Sequence, residues 1–201
     1  LKEKLTVSES KKLFHEQFPY VIPGLYKRIV DEMLVELNLL NHQKEFKQDL
    51  LFCIGLTETF KELMKGYKPK EHLDLLFESL CSCTNFEAEE IRQISQKSRQ
   101  EFKDKSSNDI LKLLKEKSDS NLYPSRVLNL GIFIIISNSK DLKGNESEMK
   151  KLIPNIFENL KLSTNKAEKD IGLYQSSITK MEQAKELIEE LKIKDKKKSQ
   201  K

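Results

Sequence analysis

A chain of 201 residues with 37% hydrophobic and 34% charged residues and a mean hydropathy of −0.59 has the composition of a soluble, helix-rich protein and excludes one embedded in a membrane. Its 6 Gly and 5 Pro are too few turn residues for a many-stranded sandwich or barrel. The net charge of +4 resides at one end: Lys192 to Lys201 hold six Lys and one Asp, and with these taken from the 36 basic and 32 acidic residues, 30 stand against 31. A balanced body with only four Arg (Arg28, Arg92, Arg99, Arg126) disfavours nucleic acid as the main partner. The basic segment attracts anionic surfaces weakly and without specificity.

In chain order, Val7-Ser8 with Leu13, Phe14 and Phe18 reads as a short helix capped by Ser8 and ended by Pro19 and Pro23. Leu25, Ile29, Met33, Leu37 and Leu40, widened by Tyr26, Val30 and Leu34, predict a central core helix starting near Pro23-Gly24. On its polar side Lys27 with Asp31 and Arg28 with Glu32 fall at i,i+4. Asp49 caps the next helix, Leu50 to Met64, with Gly66 as its stop, and Pro69 opens another that closes at Thr84-Asn85. Residues 87–103 predict a thinly apolar surface helix anchored by Ile91, Ile94 and Phe102. A short amphipathic helix capped by Ser107 or Asn108 follows, ending near Lys117, and Ser118 to Tyr123 is a polar connection.

Val127 to Ile136 has the β-branched density of a strand, but the sequence offers no second strand-like run to pair with it. A fully buried helix follows. After a loop at Lys140 to Asn145, Glu148 to Leu162 is helical, with Pro154 kinking or restarting it. The last helix begins at Ser163 or Thr164 and runs to about Lys194. Ala167, Ile171, Tyr174, Ile178 and Met181 form a heptad-like stripe, continued by Ala184, Ile188 and Leu191 after a slip at Lys185. The fold class is therefore all-α: a multi-helix bundle over 1–162, a long coiled-coil-like helix over 163–194 that is able to self-associate, and a basic disordered tail over 195–201.

Reaction and ligand motifs are missing. The six glycines never stand closer than eleven residues apart, which excludes a phosphate loop. His15-Glu16 lacks the second His of a zinc hydrolase, and His42 and His72 are isolated. Cys53, Cys81 and Cys83 make neither a disulfide framework nor a C-x-x-C pair and read as small buried side chains in a reducing compartment. Nothing here predicts a catalytic residue, a cofactor or a metal. Asp31 and Glu32 read first as structural partners of Lys27 and Arg28, or as holding the Tyr20 loop, and second as a partner-facing patch. No run of 18 apolar residues and no signal or transit sequence is present, so the expected location is cytoplasmic.

The run Thr6-Val7-Ser8-Glu9-Ser10-Lys11-Lys12-Leu13-Phe14, then Phe18-Pro19-Tyr20, then Ile22-Pro23-Gly24-Leu25-Tyr26-Lys27-Arg28 and on through Asp31-Glu32 to Leu37, resembles the thylakoid formation protein family, also called photosystem II biogenesis proteins. Phe46 with Asp49, Gly66-Tyr67-Lys68-Pro69, Leu76-Phe77 before Leu80-Cys81, and Tyr123-Pro124-Ser125-Arg126 before Leu130-Gly131 carry it to about residue 135. Beyond about 140 only a coiled-coil character is shared. The resemblance implies an all-helical, non-enzymatic factor for photosystem II biogenesis and repair and for thylakoid organisation. Its implied partners are an FtsH-type membrane protease or photosystem II assembly intermediates. Its implied place is the cytoplasmic side of the thylakoid membrane of a cyanobacterium, and the richness in Lys, Ile and Asn with little Arg suits a small marine one. The motif residues Phe18, Pro19, Tyr20, Pro23, Tyr26, Arg28, Asp31, Glu32, Asp49, Gly66, Tyr67, Pro69 and Arg126 are then structural or partner-facing.

Overall fold

The computed structural model describes residues 4–117 and 122–198, apart from the side chains of 192 and 194–198. Among the described residues there are nine helices and no strand. The first, α1 (Val7–Gln17), is capped by Thr6 rather than Ser8: the Thr6 hydroxyl accepts from the Glu9 N–H at 3.3 Å while the Glu9 carboxylate accepts from the Thr6 N–H at 2.8 Å. Ser8 lies inside the first turn because the reciprocal Thr-x-x-Glu pair satisfies two free N–H groups and a lone serine only one. Pro23 precedes α2 (Gly24–His42), and Asp49 caps α3 (Leu50–Leu63), its carboxylate accepting from the Phe52 N–H at 2.8 Å. The next helix, α4 (His72–Ser82), starts later than Pro69, which lies in the preceding turn. Asn85, at φ 65°, turns the chain after it.

α5 (Ala88–Phe102) is the expected surface helix, packed by one face along α3 and exposed on the other. Ile91, Ser95, Ser98 and Phe102 are buried there, and the Ser95 and Thr57 hydroxyls lie 2.6 Å apart. Small side chains make this approach, so a count of large apolar residues undervalues the face. α6 (Ser107–Lys117) is capped by Ser106, whose hydroxyl accepts from the Asp109 N–H at 3.2 Å. Ser107 instead gives its N–H and hydroxyl to Asp141, at 2.7 and 2.6 Å. Part of the connection expected over 118–123 lies outside the described residues.

The strand-like run is helical, as the lack of a pairing partner predicts: α7 (Arg126–Ser137) is buried along most of its length. It crosses α3 at a pair of glycines. A Cβ on Gly55 would overlap the Val127 carbonyl oxygen, and one on Gly131 the Leu51 carbonyl oxygen, so the two backbones touch. α8 (Glu146–Asn159) starts earlier than expected, on the Asn145 cap, and runs through Pro154 without a break. α9 (Thr164–Lys198) follows Ser163, whose hydroxyl accepts from the Lys166 N–H at 3.4 Å. The boundary expected at 194 thus lies inside this helix, and of the tail expected over 195–201 the last three residues lie outside the described ones.

Two apolar clusters make the core. One gathers α1, α2, α4 and Phe52, Cys53, Leu56 and Phe60 of α3. The other gathers α6, α7, α8, the first half of α9 and Leu51, Ile54 and Leu63 of α3. The first half of α3, Leu50 to Leu56, is apolar all round, and the helix is shared by both.

Candidate functional site

The polar side of α2 carries two i,i+4 rows, Lys27-Asp31-Val35-Leu39 and Arg28-Glu32-Glu36-Leu40, which turn from charged to apolar along the helix. They form one wall of a groove of about 810 Å³, closed by Lys11 of α1, residues Tyr123 to Arg126, and Lys166 of α9. Three ion pairs stand along it: Arg28 to Glu32 at 2.8 Å, Lys11 to Asp31 at 3.9 Å and Arg126 to Glu36 at 2.9 Å. Lys166 Nζ donates to the Pro124 carbonyl at 3.2 Å and ties α9 to the far wall. Leu39, at 53% exposed, supplies an apolar surface at one end.

Arg126 is the first residue of α7, where the helix dipole disfavours a cation. Glu36 compensates from α2, accepting both from Arg126 and from the Val127 N–H. Removal from water holds the Glu36 carboxyl above the ordinary carboxylate range, against the pull of Arg126 and Val127 and with a push from Asp170. Asp170, buried on α9, accepts from Asn129 Nδ2 at 2.8 Å. The floor behind the groove is therefore a polar joint of α2, α7 and α9. On the other side of Arg28, Glu32 and Arg126 a second cleft of about 460 Å³ opens between α2 and α9, walled by Leu25, Ile29, Leu173 and Met181.

Of the residues singled out in the sequence, Arg28, Asp31, Glu32 and Arg126 meet in this groove. The others lie elsewhere. Phe18 is buried between Phe14 and Tyr20, with ring centroids at 5.8 and 5.4 Å. Tyr20, after Pro19, stacks on His72 at 3.8 Å. Tyr26 packs edge-on against Tyr67 at 5.1 Å and donates its hydroxyl to the Lys65 carbonyl at 3.3 Å. Gly66 holds φ +86° in the turn after α3, with Pro69 just beyond, while Pro23 and Asp49 begin helices. Apart from Asp49, these residues join the α1–α2 link to the α3–α4 turn. Lys11, Glu36, Leu39 and Lys166 belong to the groove without having been singled out. The continuation of the Arg28-Glu32 row by four carried the signal for Glu36; the other helices' contributions had none.

Burial pushes the Cys53, Cys81 and Cys83 thiols up to about 12, with Asp49 and Glu90 adding to the effect at Cys53. They are thiols at neutral pH. Among the described residues no three of His, Cys, Asp and Glu gather as a metal-binding group, and no helix is long and apolar enough to cross a membrane.

The family model described as thylakoid formation protein matches residues 6–201, well past the point where the sequence motifs fade. Protein Thf1 of Prochlorococcus marinus (strain MIT 9312) is 76% identical over 200 residues, covering 99% of this chain and all of that one. Protein Thf1 of Synechococcus sp. (strain CC9605) is 36% identical over 195 residues, covering 92% and 87%. A solved structure of Psb29 superimposes with a TM-score of 0.83 at 25% identity, covering 98% of this chain and 100% of that one.

Proposed function

We propose, because the chain belongs to the thylakoid formation protein family, that it is a non-enzymatic accessory factor for photosystem II biogenesis and repair and for thylakoid organisation. It acts at the cytoplasmic face of the thylakoid membrane by associating with and stabilising an FtsH-type membrane protease complex. The observation that carries this reading is the match to the family from residue 6 to the last residue, with relatives alike over their whole length. The groove along α2 supports the mode of action, since it offers what a protein partner reads: ion pairs open to exchange, surplus cations and an exposed leucine.

Pull-down from thylakoid extracts tests it. The wild-type chain is expected to recover FtsH-type protease or photosystem II intermediates, and Lys27→Glu with Arg28→Glu is expected to reduce that recovery by about tenfold, the loss of two rim charges. Recovery of neither by the wild type overturns the reading. A second reading, a coiled-coil scaffold without a protease partner, draws on the exposed Leu187, Ile188 and Leu191 of α9. Light scattering that gives a concentration-independent monomer mass removes it.

A further inference from the structure

The face of α9 that turns Ala167, Ile171, Tyr174 and Met181 to the body ends at Lys185, and past that slip the apolar stripe comes round to a face turned away from the body. The stem of Lys185 still lies over Gly66, at the turn after α3. Beyond it, Leu187, Ile188 and Leu191 are 58%, 42% and 51% exposed. At 100° per residue they share, with Ala184, an arc of about 100°. Glu182, Glu186 and Glu189 fall on the opposite side. Directly after this two-turn stripe the sequence from Lys192 to Lys198 holds five Lys and one Asp, and the helix runs on through it.

From this we infer that residues 184–198 of α9 are a lipid-binding segment that lies on an anionic bilayer surface, apolar side chains in the headgroup boundary and lysines on the lipid charges. An apolar arc followed at once by concentrated positive charge is the composition that such a surface selects. The helix is not apolar enough to span a bilayer, so it lies on it. A second copy of the chain is the competing occupant, and it fits less well. A stable dimer buries on the order of 1,200 Å² or more, which a few half-exposed side chains do not supply. Like-charged lysine runs on two copies would also repel where lipid phosphates attract. The inference does not depend on the protease reading, because its test contains no other protein.

The full chain is sedimented with large unilamellar vesicles of phosphatidylglycerol and phosphatidylcholine, and with phosphatidylcholine alone. Binding is expected on the anionic vesicles and about tenfold weaker on the neutral ones. Leu187→Ser with Ile188→Ser and Leu191→Ser, all at exposed positions, is expected to weaken it about tenfold at an unchanged melting temperature. Lys196→Gln with Lys197→Gln and Lys198→Gln is expected to weaken it and to flatten its dependence on salt. Absence of wild-type binding to anionic vesicles overturns the inference, as does equal binding by the triple serine variant. A dimer in scattering that the triple serine variant abolishes also overturns it and assigns the stripe to a second copy.

Discussion

Glu36 is held in a place that costs its charge more than it gains. Its carboxyl stands above the ordinary range because desolvation outweighs Arg126 and the Val127 N–H. A carboxyl raised on folding contributes stability that is complete below its unfolded pKa and is lost as pH rises through the folded value. Wild type should therefore gain on Glu36→Gln as pH falls from 7 to 4, which urea unfolding at the two values measures. Arg126→Met should cost about 2 kcal/mol at pH 7, between an exposed and a fully buried pair, and clearly less as the pH is lowered and the raised Glu36 carboxyl takes up its proton. The sequence displays Arg28 and Glu32 as a pair because four residues on one helix separate them. Arg126 and Glu36 come from two helices far apart in the chain, and no local spacing announces them. Thr6 and Glu9 were legible as a reciprocal cap, and the nearer serine concealed it.

The crossing of α3 and α7 belongs to the scale of elements. With no side chain on Gly55 or Gly131, each helix sets its backbone against the other's carbonyl oxygens. Gly131→Ala should destabilise by about 3 kcal/mol or more, because the obstacle is backbone and the helices must separate to relieve it. Gly24→Ala, where a Cβ meets nothing within 4 Å, is the control and should be near neutral in the same denaturant titration. The helical nature of α7 was readable from the lack of any partner strand. Its contact with α3 was not, since a glycine in an apolar run signals close approach without naming the neighbour. On α5 the anchors Ile91 and Phe102 were readable, whereas Ser95 and Ser98 bury little area yet permit tight packing and carry no such signal.

At the scale of the molecule, α9 divides by what it touches. Ala167, Ile171 and Tyr174 complete the second apolar cluster and Met181 joins the first, and past Lys185 the helix carries exposed leucines and isoleucines. A chain ended after residue 185 should keep its melting temperature within a few degrees. One ended after 163 loses Ala167, Ile171, Tyr174 and Met181 from their buried sites and should no longer melt cooperatively, as circular dichroism would record. The helical class, and most helix positions, were evident in the stripes; the sharing of one helix by two clusters was not, because it depends on which faces meet. That sharing also orders events during synthesis. While the ribosome is still making the middle of the chain, α1, α2 and α4 can already cover one side of α3. Leu51, Ile54 and Leu63 then face water until α7 emerges, and this unfinished side is the surface a nascent-chain chaperone would grip.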